Sequence, residues 1–438
     1  MTSPLKAVIV GAGHRALIYA SYAKQYPDEL QIVGVADPIE GRRELVARLY
    51  NLPPERCYST ADALAAQPRF ADVAINGTMD HQHLATSLPL LEAGYDLLLE
   101  KPFAISEAQM WTLVDSARAH GRKVMICHVL RFAPFYAAIR QRVLDGVIGD
   151  LISVQSVEHV AYHHMSTAFV RGKWARSIDG YASMLMAKCC HDLDLIAWMK
   201  SGVRPRSVTS HGSNFQFRPE KAPPGAAARC LGDGVTSLSD CPIEPDCLYS
   251  ARKHYIDHPD RWSFYVWDGL EHLESPTLDD KIVSLRGDNP YGRCVWACDM
   301  DVVDHQVVGI EFEDGATATH AMIGGTAKPG RSIHLVGTLG EIEGFFEEDR
   351  FAVRHIDPRP GHEYAEEWVD LDLRAGEEGA HGGGDLRLVA DFVRVIRGEA
   401  PSISTTTLDD SVAGHLIGFS ADRAMQERRL VELAPRER

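Results

Sequence analysis

Short apolar runs rich in β-branched residues recur along the first third of the chain, separated by stretches of helical character. Lys6 to Val10, Gln31 to Ala36, Val73 to Asn76, Tyr95 to Leu99 and Val124 to Cys127 read as buried strands. A helical stretch follows the first strand through Ala23, and Leu84 to Ala93 reads as a helix ended by Gly94. Strands and helices alternating at this spacing predict a parallel, doubly wound sheet with right-handed crossovers. Beyond about residue 128 the pattern changes. Leu151 to Val160 reads as a strand, and Val307 to Phe312 and Ala316 to Met322 form a hairpin around Glu313-Asp314-Gly315. Ser332 to Val336 and Glu341 to Phe346 alternate as half-buried antiparallel strands. Ala187 to Lys200, packing through Leu193, Ile196, Ala197 and Met199, and Leu386 to Ile396 read as helices. The predicted fold is α/β: a Rossmann-type parallel sheet over residues 1–128, then an α+β domain with a mainly antiparallel sheet over 129–438. Residues 211–300 are irregular and rich in Pro, Gly and Cys, with too many aromatics for a disordered linker, so they are expected to be an ordered insertion.

Composition narrows the function. The 438 residues suit two or three domains, and 45% hydrophobic with 24% charged residues is the balance of a packed globular protein. A net charge of −16 opposes nucleic-acid binding, which depends on neutralising phosphates. No run of about 18 apolar residues is present to span a membrane. Met1 to Lys6 is too short and polar for a signal peptide before the first strand, which points to the cytoplasm. Nine scattered cysteines, an odd number, fit reduced thiols better than a disulfide framework.

The first strand runs into a G-x-G-x-x-A turn at Gly11, Gly13 and Ala16 that opens a helix. Gly11 permits the tight turn, Gly13 lets a pyrophosphate approach the backbone, and Ala16 lets helix and strand pack closely. The helix N-terminus, with His14 and Arg15 beside it, presents N–H groups and a positive dipole end. Asp37 closes the second strand about 20 residues further on, where a carboxylate accepts hydrogen bonds from the adenosine ribose and repels a 2′-phosphate. NAD is therefore expected over NADP, although Arg42 and Arg43 stand where an arginine accommodates that phosphate. The alternative is a glycine turn without a nucleotide.

With Thr78-Met79-Asp80-His81-Gln82-His83, Glu100-Lys101-Pro102 and His191-Asp192-Leu193-Asp194, these residues resemble the Gfo/Idh/MocA oxidoreductases. The resemblance is close from residue 6 to about 200 and looser beyond, and the insertion lies outside the common core. It implies oxidation of a sugar, polyol or sugar derivative by hydride transfer to NAD, in a dimer or tetramer. It places Thr78, His83, Glu100, Lys101 and Pro102 at the cofactor. Lys101 would bond the reacting hydroxyl and help accept its proton, and His191 would be the catalytic histidine. Many members carry an aspartate four residues before this histidine, where this chain has Ala187. Lys188, three residues from His191 on one helix face, is a third catalytic candidate, with a salt bridge to Asp192 or Asp194 as the alternative. Tyr162, His163, His164, Arg171 and Trp174 are expected to face substrate, as is Arg131 unless it forms a surface ion pair. Cys230, Cys241 and Cys247 with His254 are a weak structural-zinc candidate whose spacing matches no standard pattern, and unligated buried thiols are the alternative. Three functions compete: an NAD-dependent dehydrogenase, an NAD-dependent redox-neutral glycosidase acting on a neutral or anionic glycoside, and a non-catalytic NAD-binding sensor.

Overall fold

In a computed structural model, residues 3–232, 241–258, 260–273, 275–371 and 380–434 are described. Six strands among them, β1 (Leu5–Val10), β2 (Leu30–Ala36), β3 (Cys57–Tyr58), β4 (Val73–Asn76), β5 (Asp96–Leu99) and β6 (Val124–Ile126), form one sheet of order β3-β2-β1-β4-β5-β6. Every pairing is parallel. Because crossover helices cover both faces, both are apolar: Ala7 and Ile9 enter one buried cluster and Val8 and Val10 the other. The doubly wound expectation holds, with strand bounds within a residue or two.

The remaining strands are β7 (Leu151–Ala161), β8 (Pro205–Ser213), β9 (His305–Phe312), β10 (Thr317–Thr326), β11 (Gly330–Gly337), β12 (Gly340–Phe345), β13 (Arg350–Ile356), β14 (Tyr364–Asp370) and β15 (Val431–Glu432). They form a sheet of order β14-β13-β12-β11-β7-β10-β9-β8-β15. Only β7 and β10 pair in parallel, so the sheet is mainly antiparallel, as expected. Helices Met184–Met199 and Leu408–Glu427 cover one face, which gives strands such as β9 their in-out alternation of burial. The long Leu408–Glu427 helix was not foreseen, although Thr407 accepting from the Asp410 N–H is a legible N-cap.

The chain then returns to its beginning. Helix Gly384–Ile396, which the sequence assigns to the second half, buries Leu388, Val389, Phe392 and Val393 against the first sheet. Residues 402–407 follow it there, where Thr406 donates to Ile126 O and bonds back through its carbonyl to the Ile126 N–H. The described part of the insertion has its own apolar cluster around Tyr255, Trp262, Val266 and Leu285. None of the nine cysteines is in a disulfide among the described residues. Among the described residues, no helix is long and apolar enough to cross a membrane.

Candidate active site

A cleft of about 400 Å³ lies at the C-terminal ends of β1, β2, β4 and β5, where ligands sit in open parallel sheets. Gly11, Gly13, Asp37 and Arg42 line one end, and Lys101, His164, Trp174 and His191 the other. Gly11 has φ +76°, and a Cβ there would stand 2.6 Å from Thr78 N, so only glycine fits this turn. A Cβ on Gly13 would meet nothing within 4 Å, which leaves its backbone open to the cleft. Ala16 is buried behind the turn, packed against Gly77. Asp37 accepts from Ala12 N (2.7 Å) and Ile39 N (2.8 Å), which aligns its carboxylate with the turn. An open glycine turn at a helix N-terminus, with a fixed carboxylate at the end of β2, matches the pyrophosphate and ribose of a dinucleotide.

The Glu100-Lys101-Pro102 segment is held from several sides. Glu100 is buried and accepts from Arg15 Nε (2.9 Å), Tyr19 OH (2.6 Å) and the Lys101 N–H (2.7 Å). Burial alone would raise its carboxyl pKa, but the charges of Arg15 and Lys101 and the Tyr19 hydrogen bond hold it below the usual carboxylate range. Arg15 also reaches Tyr19 OH and Asp385 of the returning helix. Its guanidinium, expected at the cofactor, lines the cleft while serving as a brace. His83 lies with Nδ1 2.8 Å from Pro102 O and Nε2 3.0 Å from Thr78 O, tying the Lys101 turn to the loop after β4. Thr78 and Pro102 also line the cleft.

Lys101 Nζ donates to the backbone oxygen of Ala187 at 2.9 Å. The position where an aspartate was missed therefore still receives the lysine, through its main chain. One turn on, His191 lines the same cleft, its ring packed edge-on to His128 at 5.7 Å between centroids. His164 lies on the same wall, and burial, reinforced by the Lys188 charge, keeps its pKa well below that of a free histidine. It is a neutral base at physiological pH.

Several expected contacts are not made. Lys188 does not line the cleft. Its Nζ is 3.0 Å from Glu158 Oε1, so its salt bridge is with neither Asp192 nor Asp194. Glu158 also pairs with Arg331, which bonds Asp192. Arg131 is buried in a fork with Asp194 (2.7 and 2.6 Å) and faces Trp198, so it forms a buried ion pair where the alternative reading expected a surface one. Arg171 is buried beneath the insertion, donating to Arg293 O (2.7 Å) and Tyr249 O. Both arginines are drawn inward because their planar forks satisfy buried carboxylate and carbonyl acceptors. Lys188 and Arg171 are thus both committed to protein partners. Tyr162 packs against His254, and His163 faces an outer groove with His258 and Arg261. Burial, aided by Arg261 and His258, lowers the His163 pKa to about 4.

Of the suggested zinc set, Cys230, Cys241 and Cys247 line one small cavity together with Cys294, while His254 turns its Nε2 to Leu248 O at 2.7 Å. Among the described residues, a second group of ligand atoms, those of Cys189, Asp192 and His320, converges within 4.8 Å. There Arg331 and Lys188 already balance Asp192 and Glu158, so a divalent cation would add uncompensated buried charge.

What sequence reasoning missed is the roof. Phe264, Tyr265, Trp267, Asp268 and Tyr291 of the insertion line the cleft, and Phe264 meets His14 edge-on at 6.2 Å. The aromatic run Trp262-Ser263-Phe264-Tyr265-Val266-Trp267 was the visible signal. Lys173 also lines the cleft, 4.9 Å from the Trp174 ring centroid.

Residues 5–128 match the model of the Gfo/Idh/MocA oxidoreductase family, described as an NAD-binding Rossmann fold. Over 330 residues the chain is 25% identical to the Bacillus subtilis protein YteT, named an oxidoreductase, covering 73% of this chain and 72% of that one. It is 28% identical over 211 residues to trans-1,2-dihydrobenzene-1,2-diol dehydrogenase of Bos taurus, covering 48% of this chain and 59% of that enzyme. An Agrobacterium radiobacter oxidoreductase solved with NAD+, L-tartaric acid and magnesium superposes with a TM-score of 0.67, at 14% identity and 98% coverage of both chains.

Proposed function

On the premise that the N-terminal domain belongs to the Gfo/Idh/MocA oxidoreductases, we propose that this NAD-binding oxidoreductase oxidises a secondary alcohol in a polyhydroxylated compound: a sugar, polyol or vicinal diol. The observation that carries this reading is one continuous cleft with the glycine turn and Asp37 at one end and Lys101 and His191 at the other. A vicinal diol is also what the bovine relative's name gives as its substrate.

NAD supplies the hydride acceptor when bound. An ammonium has three N–H donors, and Lys101 uses one on Ala187 O, leaving the others for the oxygen of a reacting hydroxyl. That contact strengthens as the oxygen gains negative charge, so it favours the transition state over the ground state. His191 takes the hydroxyl proton. Trp174 and the insertion aromatics wall the cleft and exclude water. A homo-oligomer would use the uncovered face of the second sheet, where Phe345 and Trp368 border a shallow depression.

One observation supports a second reading. His164 adds a neutral base beside His191, and a redox-neutral glycosidase needs a further base to remove the proton next to the transiently oxidised carbon. Incubating the protein with NAD and a panel of polyols, free sugars, diols and chromogenic glycosides separates the two. Steady NADH accumulation establishes the dehydrogenase. NAD-dependent aglycone release without NADH establishes the glycosidase. NAD binding with neither signal across the panel, unchanged by Lys101→Met and His191→Ala, would favour the sensor.

A further inference from the structure

We propose that Glu271, in the insertion, makes the cleft select NAD over NADP by occupying Arg42, the arginine best placed to receive a 2′-phosphate. The inference rests on the dinucleotide reading of the cleft and extends it to a residue outside the nucleotide-binding domain.

Arg42 lies in helix Glu40–Tyr50, immediately after Asp37, and lines the adenosine end of the cleft. Its Nε donates to Glu271 Oε2 at 2.9 Å and its Nη2 to Glu271 Oε1 at 3.1 Å. This two-pronged edge is also the one a guanidinium uses to hold a phosphate. The guanidinium carbon is 5.2 Å from the Trp267 ring centroid, so the insertion holds the arginine by its edge and its face at once. The pair is largely shielded from solvent, the two side chains being 23% and 17% exposed. It is therefore less screened than a surface ion pair.

The neighbouring charges agree. Arg43 turns its Nη1 to the backbone oxygens of Asp37 and Pro38. Asp37 and Asp268 add two carboxylates to the same cleft. A 2′-phosphate would meet the carboxylates of Asp37 and Asp268 with Arg42 already paired to Glu271, and the further cation on the cleft wall, Lys173, already lies in the field of Asp268 and Glu271. A ribose carrying only hydroxyls meets Asp37 as an acceptor and needs nothing from Arg42. The insertion thereby completes a selection that Asp37 begins. Without Glu271, Arg42 would face the cleft as a free cation and work against Asp37.

The test measures binding, not turnover. NAD+ and NADP+ are titrated into the full-length protein, following tryptophan fluorescence or heat, for wild type, Glu271→Gln, Arg42→Ala and the double variant. Glu271→Gln is expected to tighten NADP+ by about tenfold, the scale of one charge-assisted hydrogen bond released to a phosphate, with a much smaller change for NAD+. The double variant should lose that gain, and Arg42→Ala alone should weaken NADP+ binding, because it leaves Glu271 as an unpaired carboxylate near the phosphate. Unchanged NADP+ affinity in Glu271→Gln with NAD+ binding intact would overturn the proposal. A gain in NADP+ affinity retained in the double variant would also overturn it, by showing that Arg42 is not the group released to the phosphate. Failure of wild type to bind either dinucleotide would instead refute the cleft reading on which the proposal stands.

Discussion

Asp385 does not itself line the cleft, yet its removal should weaken both fold and cofactor site through Arg15, which does. It sits at the start of helix Gly384–Ile396 and is 5% exposed. It pairs with Arg15, whose other partners are Glu100 and Tyr19. A hydrogen bond to a charged group contributes about 1.5–3 kcal/mol. Breaking a fully buried pair costs about 3–5 kcal/mol. Arg15 is 28% exposed and keeps Glu100, so Asp385→Ala should cost about 2 kcal/mol, between an exposed pair and a buried one. With an unfolding entropy of about 2.1 cal/mol/K per residue over 438 residues, this lowers Tm by about 2 °C. A double-mutant cycle of Asp385→Ala with Arg15→Met, followed by thermal and urea denaturation, should give a coupling above about 1 kcal/mol. NAD affinity should fall as well, because Arg15 lies two residues beyond Gly13 and the loosened brace frees the turn. A coupling below about 0.5 kcal/mol, the scale of an exposed ion pair, with unchanged NAD affinity would refute the view that the returning helix braces the site.

Lys101→Met keeps the length of the side chain but removes the Ala187 contact and the hydroxyl donor. It should lower kcat about 10²–10⁴-fold with NAD affinity retained, as checked by steady-state rates on the substrate found in the panel and by NAD titration. Gly11→Ala places a Cβ 2.6 Å from Thr78 N at φ +76°, so a stability loss of about 1–3 kcal/mol and weaker NAD binding are expected in calorimetry. Asp422 has its pKa raised to about 6 by burial, against hydrogen bonds from Ser183 and Gln306. A carboxyl raised in the folded state favours folding below its unfolded pKa near 4, and that contribution is lost as pH rises through 6. Asp422→Asn should therefore gain on wild type in Tm scans from pH 4 to 7, by at most about 3 kcal/mol. An unchanged difference across that range would show that Asp422 does not titrate there.

The parallel sheet and the glycine turn were readable in the sequence because each depends on neighbours a few residues away; Asp37 followed from its spacing to that turn, and the roles of Glu100, Lys101 and Pro102 from the family resemblance. A buried strand needs an unbroken apolar run, and a turn with positive φ needs glycine, whatever lies elsewhere. The pairings that decide the site join residues far apart in the chain. Lys101 meets Ala187 O, Arg15 meets Asp385, Arg42 meets Glu271, and Arg131 turns from the cleft to Asp194. Charge alone left Arg131, Arg171 and Lys188 open to either a ligand or a partner. Which they took depended on the nearest buried acceptor, since an unpaired charge away from water costs more than any single contact returns. The sequence by itself determined the nucleotide-binding framework. Only the tertiary structure decided which charged side chains remain free to meet a ligand, and that the insertion closes over them, because those outcomes depend on competition among acceptors brought together by folding.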